Sequence, residues 1–184
     1  MKKRVIVVVL VVLIATSTYA QATDFVELVE TGTPQSIQAA IDQGANANAR
    51  DMNAVTPLMY AAVHNPNPDV ITTLLKAGAD INARANAGTT PLMWAALANP
   101  NPEVITTLLR AGADIKAREN DNSMTSLMWA ALANPNPEVI TVLLKAGADA
   151  KTKDSQGLTA LDYAKDNAEL KGTDAYQQLQ EASQ

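Results

Sequence analysis

The chain repeats itself, and no other feature restricts its fold so tightly. Thr56-Pro57-Leu58-Met59-Tyr60-Ala61-Ala62 returns as Thr90-Pro91-Leu92-Met93-Trp94-Ala95-Ala96 and as Thr125-Ser126-Leu127-Met128-Trp129-Ala130-Ala131, at intervals of 34 and then 35 residues. A weaker fourth copy runs Thr159-Ala160-Leu161-Asp162-Tyr163-Ala164. The second half of the unit recurs with it, from Val70 to Asp80, Val104 to Asp114 and Val139 to Asp149. All nine prolines sit at repeat-defined positions, and Gly44, Gly78, Gly112 and Gly147 occupy one equivalent place. A unit this small cannot bury an apolar face alone, so neighbours must stack to share a core.

Local chemistry within a unit predicts two short helices and a turn. Thr56 or Thr90 is an N-cap with proline at the first helical position, where its missing N–H costs nothing. The Leu-Met-aromatic-Ala-Ala run forms a compact first helix. In Asn65-Pro66-Asn67-Pro68, and its equivalents from Asn99 and Asn134, the first Asn precedes a proline and is steered away from helical geometry. The second Asn caps the next helix, and Asp69, Glu103 or Glu138 adds an acid at the positive end of its dipole. Val70, Ile71, Leu74 and Leu75 recur at helical spacing, Lys76, Arg110 or Lys145 fills the last turn, and glycine supplies the left-handed stop.

These residues resemble the ankyrin repeat, whose pattern is Thr-Pro-Leu-His-x-Ala-Ala, a second helix ending Leu-Leu, then Gly-Ala-Asp-x-Asn-Ala. Gly78-Ala79-Asp80-Ile81-Asn82-Ala83 matches in full, and Thr56-Pro57-Leu58 and Thr90-Pro91-Leu92 match except at the His. The resemblance covers about Thr23 to Gln184 and implies an all-α solenoid of about five helix–turn–helix units with projecting hairpin loops. The units fall at about 23–55, 56–89, 90–124, 125–158 and 159–184. Met59, Met93, Met128 and Asp162 replace the family His, which removes a polar link from the first three. Gly88 and Gly157 stand before the Thr motif where the other units have Ala54 and Ser123, and Asn53 and Asn122 are the expected carriers of the positive φ there. The last helix pair carries Asp162, Lys165, Asp166, Glu169 and Lys171 at outer positions, the polar face an end unit needs.

Lys2-Lys3-Arg4, the apolar run Val5 to Ala15, and small residues through Ala22 follow the order of a secretory signal peptide, with cleavage expected after Ala20 or Ala22. Eleven apolar residues fall short of the roughly 20 that span a bilayer. The expected destination is periplasmic or secreted, with no stable membrane insertion once the leader is gone. Without residues 1–22 the chain has 11 Lys and Arg against 19 Asp and Glu, a net charge of −8. That charge repels phosphate backbones, so nucleic acid is not an expected partner.

Catalytic and metal chemistry has little to draw on. There is no Cys and one His, so thiol nucleophiles, disulfides and two-imidazole sites are absent. His64 has Ala98 and Ala133 as its equivalents and no clustered acid beside it. Asp69, Glu103 and Glu138 recur once per unit, which helix N-terminal charge explains. The loop acids Asp114, Glu119 and Asp121 match no known calcium-loop spacing. No catalytic residue, metal or cofactor is assigned.

Tyr60, Trp94, Trp129 and Tyr163 form a column at one helical position. They serve inter-repeat packing, or packing plus a contribution of their ring edges to the concave surface. The resemblance places variable, partner-facing residues beside them at Val63, His64, Leu97, Ala98, Leu132 and Ala133, bordered by loop-tip residues Asn53, Val55, Asn86, Thr89 and Asn122. The expected function is a monomeric, non-enzymatic scaffold that binds another protein through this face. The alternatives are a self-associating structural element of the envelope and, last, a cell-wall-processing hydrolase.

Overall fold

The computed structural model describes residues 24–184, so the expected leader lies outside the described residues. Among these there are ten helices and no strand. Helix α1 covers residues 24–31 and pairs with α2 (Pro34–Asp42). The next pairs are α3 (Pro57–His64) with α4 (Pro68–Lys76), and α5 (Pro91–Ala98) with α6 (Pro102–Arg110). α7 (Ser126–Ala133) with α8 (Glu138–Lys145), and α9 (Ala160–Ala164) with α10 (Asp174–Ala182), complete the five. This is the all-helical stacked architecture that the repeat predicts.

Caps set the helix starts. The Thr56, Thr90 and Thr125 hydroxyls each accept the N–H three residues on, at 3.4 Å. The Asn67, Asn101 and Asn136 side chains accept from Asp69, Glu103 and Glu138, each at 3.0 Å. Every one satisfies a donor that the helix itself cannot.

The pairs stack as two layers. An inner layer runs α3, α5, α7, α9, and an outer layer runs α2, α4, α6, α8, α10, each helix packed on the next. One core cluster extends through the array from Phe25 and Val29 to Leu170 and Leu179. Ala61, Ala62, Ala95, Ala96, Ala130 and Ala131 are all completely buried, so inner helices approach closely where a larger side chain would hold them apart. Removing one of the big outer-layer anchors, such as Ile71 or Leu108, would open a cavity costing about 2–5 kcal/mol.

Hydrogen bonds tie the units along both long edges. On the turn edge the Asn99 amide is fully buried and donates to the carbonyls of Ala62 and Asn65 at 2.9 and 3.0 Å. Asn65 binds Val29 and Gly32, and Asn134 binds Ala96 and Asn99, in the same way. On the hairpin edge the N–H groups of Asn86, Asn120 and Ser155 donate to Asn53, Ala87 and Asn122 of the preceding hairpin. Arg50, Arg84 and Arg118 add side-chain donation to the carbonyls of Arg84, Arg118 and Lys153.

The left-handed hairpin position differs from expectation. Ala54 (φ 59°) and Ser123 (φ 61°) adopt it, not Asn53 and Asn122. Asn53 and Asn122 turn their carbonyls toward the next hairpin to accept the inter-unit bond, which leaves the following residue to reverse the chain.

Candidate functional site

Burial selects the candidate surface. Within α3, α5 and α7 every residue is buried except at three positions per helix. Those are Tyr60, Val63 and His64; Trp94, Leu97 and Ala98; and Trp129, Leu132 and Ala133. Leu132 is 40% exposed and His64, Ala98 and Ala133 are exposed, while the others are half-buried. The residues singled out in the sequence therefore lie side by side, in rows that cross the inner layer. The only ionisable side chains among them are Tyr60 and His64, the latter with its Nε2 3.8 Å from Glu30 Oε1.

The aromatic column is both packed and surface. Tyr60 and Trp129 pack against the main core, and the Tyr60 and Trp94 rings lie 6.3 Å apart and tilted at 56°. Their polar atoms are engaged by the hairpins. Tyr60 donates its hydroxyl to Asp51 at 2.9 Å, and Trp94 donates its indole N–H to Thr89 at 2.8 Å. Burial, then the bond to Asp51, pushes the Tyr60 hydroxyl above its ordinary pKa. In the last unit Tyr163 donates to Asp154, and burial with that bond pushes Tyr163 up to about 12. The Trp129 indole nitrogen is buried without a partner, because Met124 stands where the second hairpin has Thr89.

The hairpin border is partly as expected. Asn53, Asn86 and Asn122 are exposed, and Thr89 is half-buried beneath the Trp94 indole. Val55 does not belong to the border: it is 5% exposed and packed with Met59, Ala83 and Ala85 in a small second core, so its side chain faces inward. At the first tip Met52 is 87% exposed, a residue the sequence reading passed over. An unmatched methionine in an amide-rich loop was the available signal.

Two groups of residues were missed because their work is structural. The first Asn of each turn reads as a helix stop, yet it bonds to the preceding unit. Asn167, which lacks a following proline, keeps the bond to Ala131. That persistence without proline was the clue. Asp51, Glu119 and Asp154 order the hairpins: Asp51 accepts from Asn53 and Val55, Asp154 from Gln156 and Leu158, and Glu119 from Asp121, Asn122 and Met124.

These contacts occupy one of the acids that the sequence had raised for chemistry, Glu119. Glu119 is 4% exposed and committed to backbone N–H groups. Asp69, Glu103 and Glu138 stand exposed at the starts of outer helices, with Glu103 3.4 Å from Arg110. Among the described residues no three His, Asp or Glu side chains gather to hold a metal ion, and no helix is long and apolar enough to cross a membrane. An open groove of about 520 Å³ lies in the outer layer between α4 and α6, lined by Thr72, Leu75, Lys76, Thr107, Arg110 and Ala111.

Residues 25–119 and 92–175 match the family model for ankyrin repeats (3 copies). No curated protein matches the chain.

Proposed function

The chain belongs to the ankyrin repeat family, whose repeats are generally protein–protein interaction modules, and from that premise we propose that it binds a partner protein through the exposed face of its inner helices. The hairpin tips at Asn53, Asn86 and Asn122 border the contact. One observation carries the reading: nine non-buried residues on three successive inner helices form a surface with two tryptophans, a tyrosine and three aliphatic side chains, and His64 as its only titratable group besides the tyrosine. Half-buried aromatic anchors on a rigid base are the groups that dominate interface energies. Because the stacked helices hold the surface in place, little conformational entropy is lost on association.

The protein acts as a monomeric, non-catalytic scaffold in an extracytoplasmic compartment, reached through its N-terminal leader. Export is tested by intact mass of the released protein, expected to begin at Gln21 or Thr23; retention of residues 1–22 overturns it. Docking is tested by affinity purification with mass spectrometry, using wild type and a Trp94→Ala/Leu97→Asp/Leu132→Asp variant. The variant is expected to lose the partners that wild type retains, and equal recovery by both discards this face.

A further inference from the structure

We infer that the partner docks as an amphipathic α-helix laid across the inner layer, and not as an extended segment; this rests on the reading of the inner face just given. The first reason is hydrogen bonding. An extended peptide brings unpaired N–H and C=O groups, and each one left unsatisfied in a dry contact costs about 1–3 kcal/mol. Apart from the exposed His64 imidazole at one end, the inner helices have no uncommitted polar side chain to offer them. The Tyr60 hydroxyl is committed to Asp51 and the Trp94 indole to Thr89. The Trp129 nitrogen is buried, and Val63, Leu97 and Leu132 carry no polar side-chain atoms. A helix arrives with its backbone already paired and needs only an apolar stripe to meet.

Charge and spacing point the same way. Segments 57–68, 91–102 and 126–137 contain no Lys, Arg, Asp or Glu, so away from Glu30 and Asp51 at the α3 end a partner charge set against them would be desolvated without compensation. The stripe that docks is therefore uncharged, with its charges on the solvent side. Packed helices sit about 8–10 Å apart, and seven residues of a helix at 1.5 Å per residue advance about 10 Å. A partner helix crossing α3, α5 and α7 consequently repeats its anchors every seventh residue, each lodged between an aromatic and its aliphatic neighbour: Tyr60 with Val63, Trp94 with Leu97, Trp129 with Leu132.

The probe is a random peptide library of about 20-residue chains, some 30 Å long when helical, selected on the immobilised wild-type protein. Peptides that emerge are synthesised, and their affinities are read from the fluorescence of Trp94 and Trp129, the only two tryptophans in the chain, both on this face. Their bound conformation is read by NMR. The expected peptides become helical on binding, carry apolar residues at seven-residue spacing, and bind a Leu97→Asp/Leu132→Asp variant at least about tenfold more weakly, or 1.4 kcal/mol. Circular dichroism verifies that the variant is folded, and Leu132→Lys alone replaces it where it is not. Peptides that bind extended but still depend on these leucines overturn the helical partner and leave the docking face standing. Peptides indifferent to the substitutions, or a library that gives none, overturn both.

Discussion

The two long edges of the solenoid meet the same requirement, joining each unit to the next, in opposite ways. On the turn edge, Asn65, Asn99 and Asn134 do it with one side chain and one pattern of bonds, all buried to 3% exposure or less. On the hairpin edge the chemistry changes from unit to unit. A carboxylate orders three of the hairpins, as Asp51, Glu119 and Asp154, while the second has Ala85; the left-handed residue is Ala54, Gly88, Ser123 or Gly157. The difference follows from water. A buried amide cannot change without stranding two carbonyls, whereas an exposed hairpin can leave part of its backbone to solvent. Variation between units is tolerated on the edge that borders the candidate binding face, and excluded on the edge whose inter-unit bonds are buried.

If that contrast is right, Asn99→Ala carries the largest penalty. It removes two donated bonds and the one accepted from Asn101, and is expected to lower stability by about 3 kcal/mol, read as a shift of the urea midpoint at constant slope. Asn101→Ala, which removes a cap and a solvent-side bond to Pro66, is expected to cost only about 1 kcal/mol. Equal losses from the two would erase the special standing of the buried amide.

On the hairpin edge, Glu119→Ala frees three backbone donors that water only partly reaches, and about 2 kcal/mol is expected to be lost in the same assay. Ser126→Pro goes the other way. Its hydroxyl is buried without a partner at the position held by Pro57 and Pro91, and Thr125 before it already has the extended backbone that a following proline requires. Relief of that hydroxyl and a stiffer unfolded chain are expected to add about 1 kcal/mol, seen as a higher Tm. Ala54→Gly, which relaxes a left-handed alanine, gains less, about 0.5 kcal/mol after the entropy that glycine restores to the unfolded chain.

The smallest effect concerns pH in the last unit. The Asp154 carboxyl is pulled up by burial, but the Tyr163 hydroxyl and the backbone N–H groups of the hairpin outweigh that and hold it below the ordinary range. Its partner Tyr163 is pushed up to about 12. A raised tyrosine pKa stabilises the fold fully below its unfolded value of about 10 and ceases to do so as pH climbs through the folded value. Unfolding midpoints of wild type are expected to fall across that interval more steeply than those of Tyr163→Phe. Parallel curves for the two would show that the Asp154–Tyr163 bond contributes nothing to the C-terminal hairpin.

Much of the architecture was legible in the chain because repetition multiplies weak local signals. One Thr-Pro or Asn-Pro is a suggestion, but recurring at one interval they define helix starts, and the caps at Thr56, Asn67, Thr90 and Asn101 are where local chemistry requires them. The exposed pair beside each aromatic was legible only through the family resemblance, since a run such as Leu-Met-Trp-Ala-Ala-Leu-Ala is apolar all round and its period alone separates no face. Val55 was not, because nothing within its own hairpin reveals that Met59, Ala83 and Ala85 close over it. Nor was the second role of Asn65, Asn99 and Asn134, because a pre-proline asparagine looks the same whether or not its amide meets a carbonyl over 30 residues away. Capping, turn chemistry and amphipathic period act over a few residues and are written in the order of the chain. Which side chains are covered, and which amides find their partners in the unit next door, depends on contacts between units that come into existence only when the array has stacked.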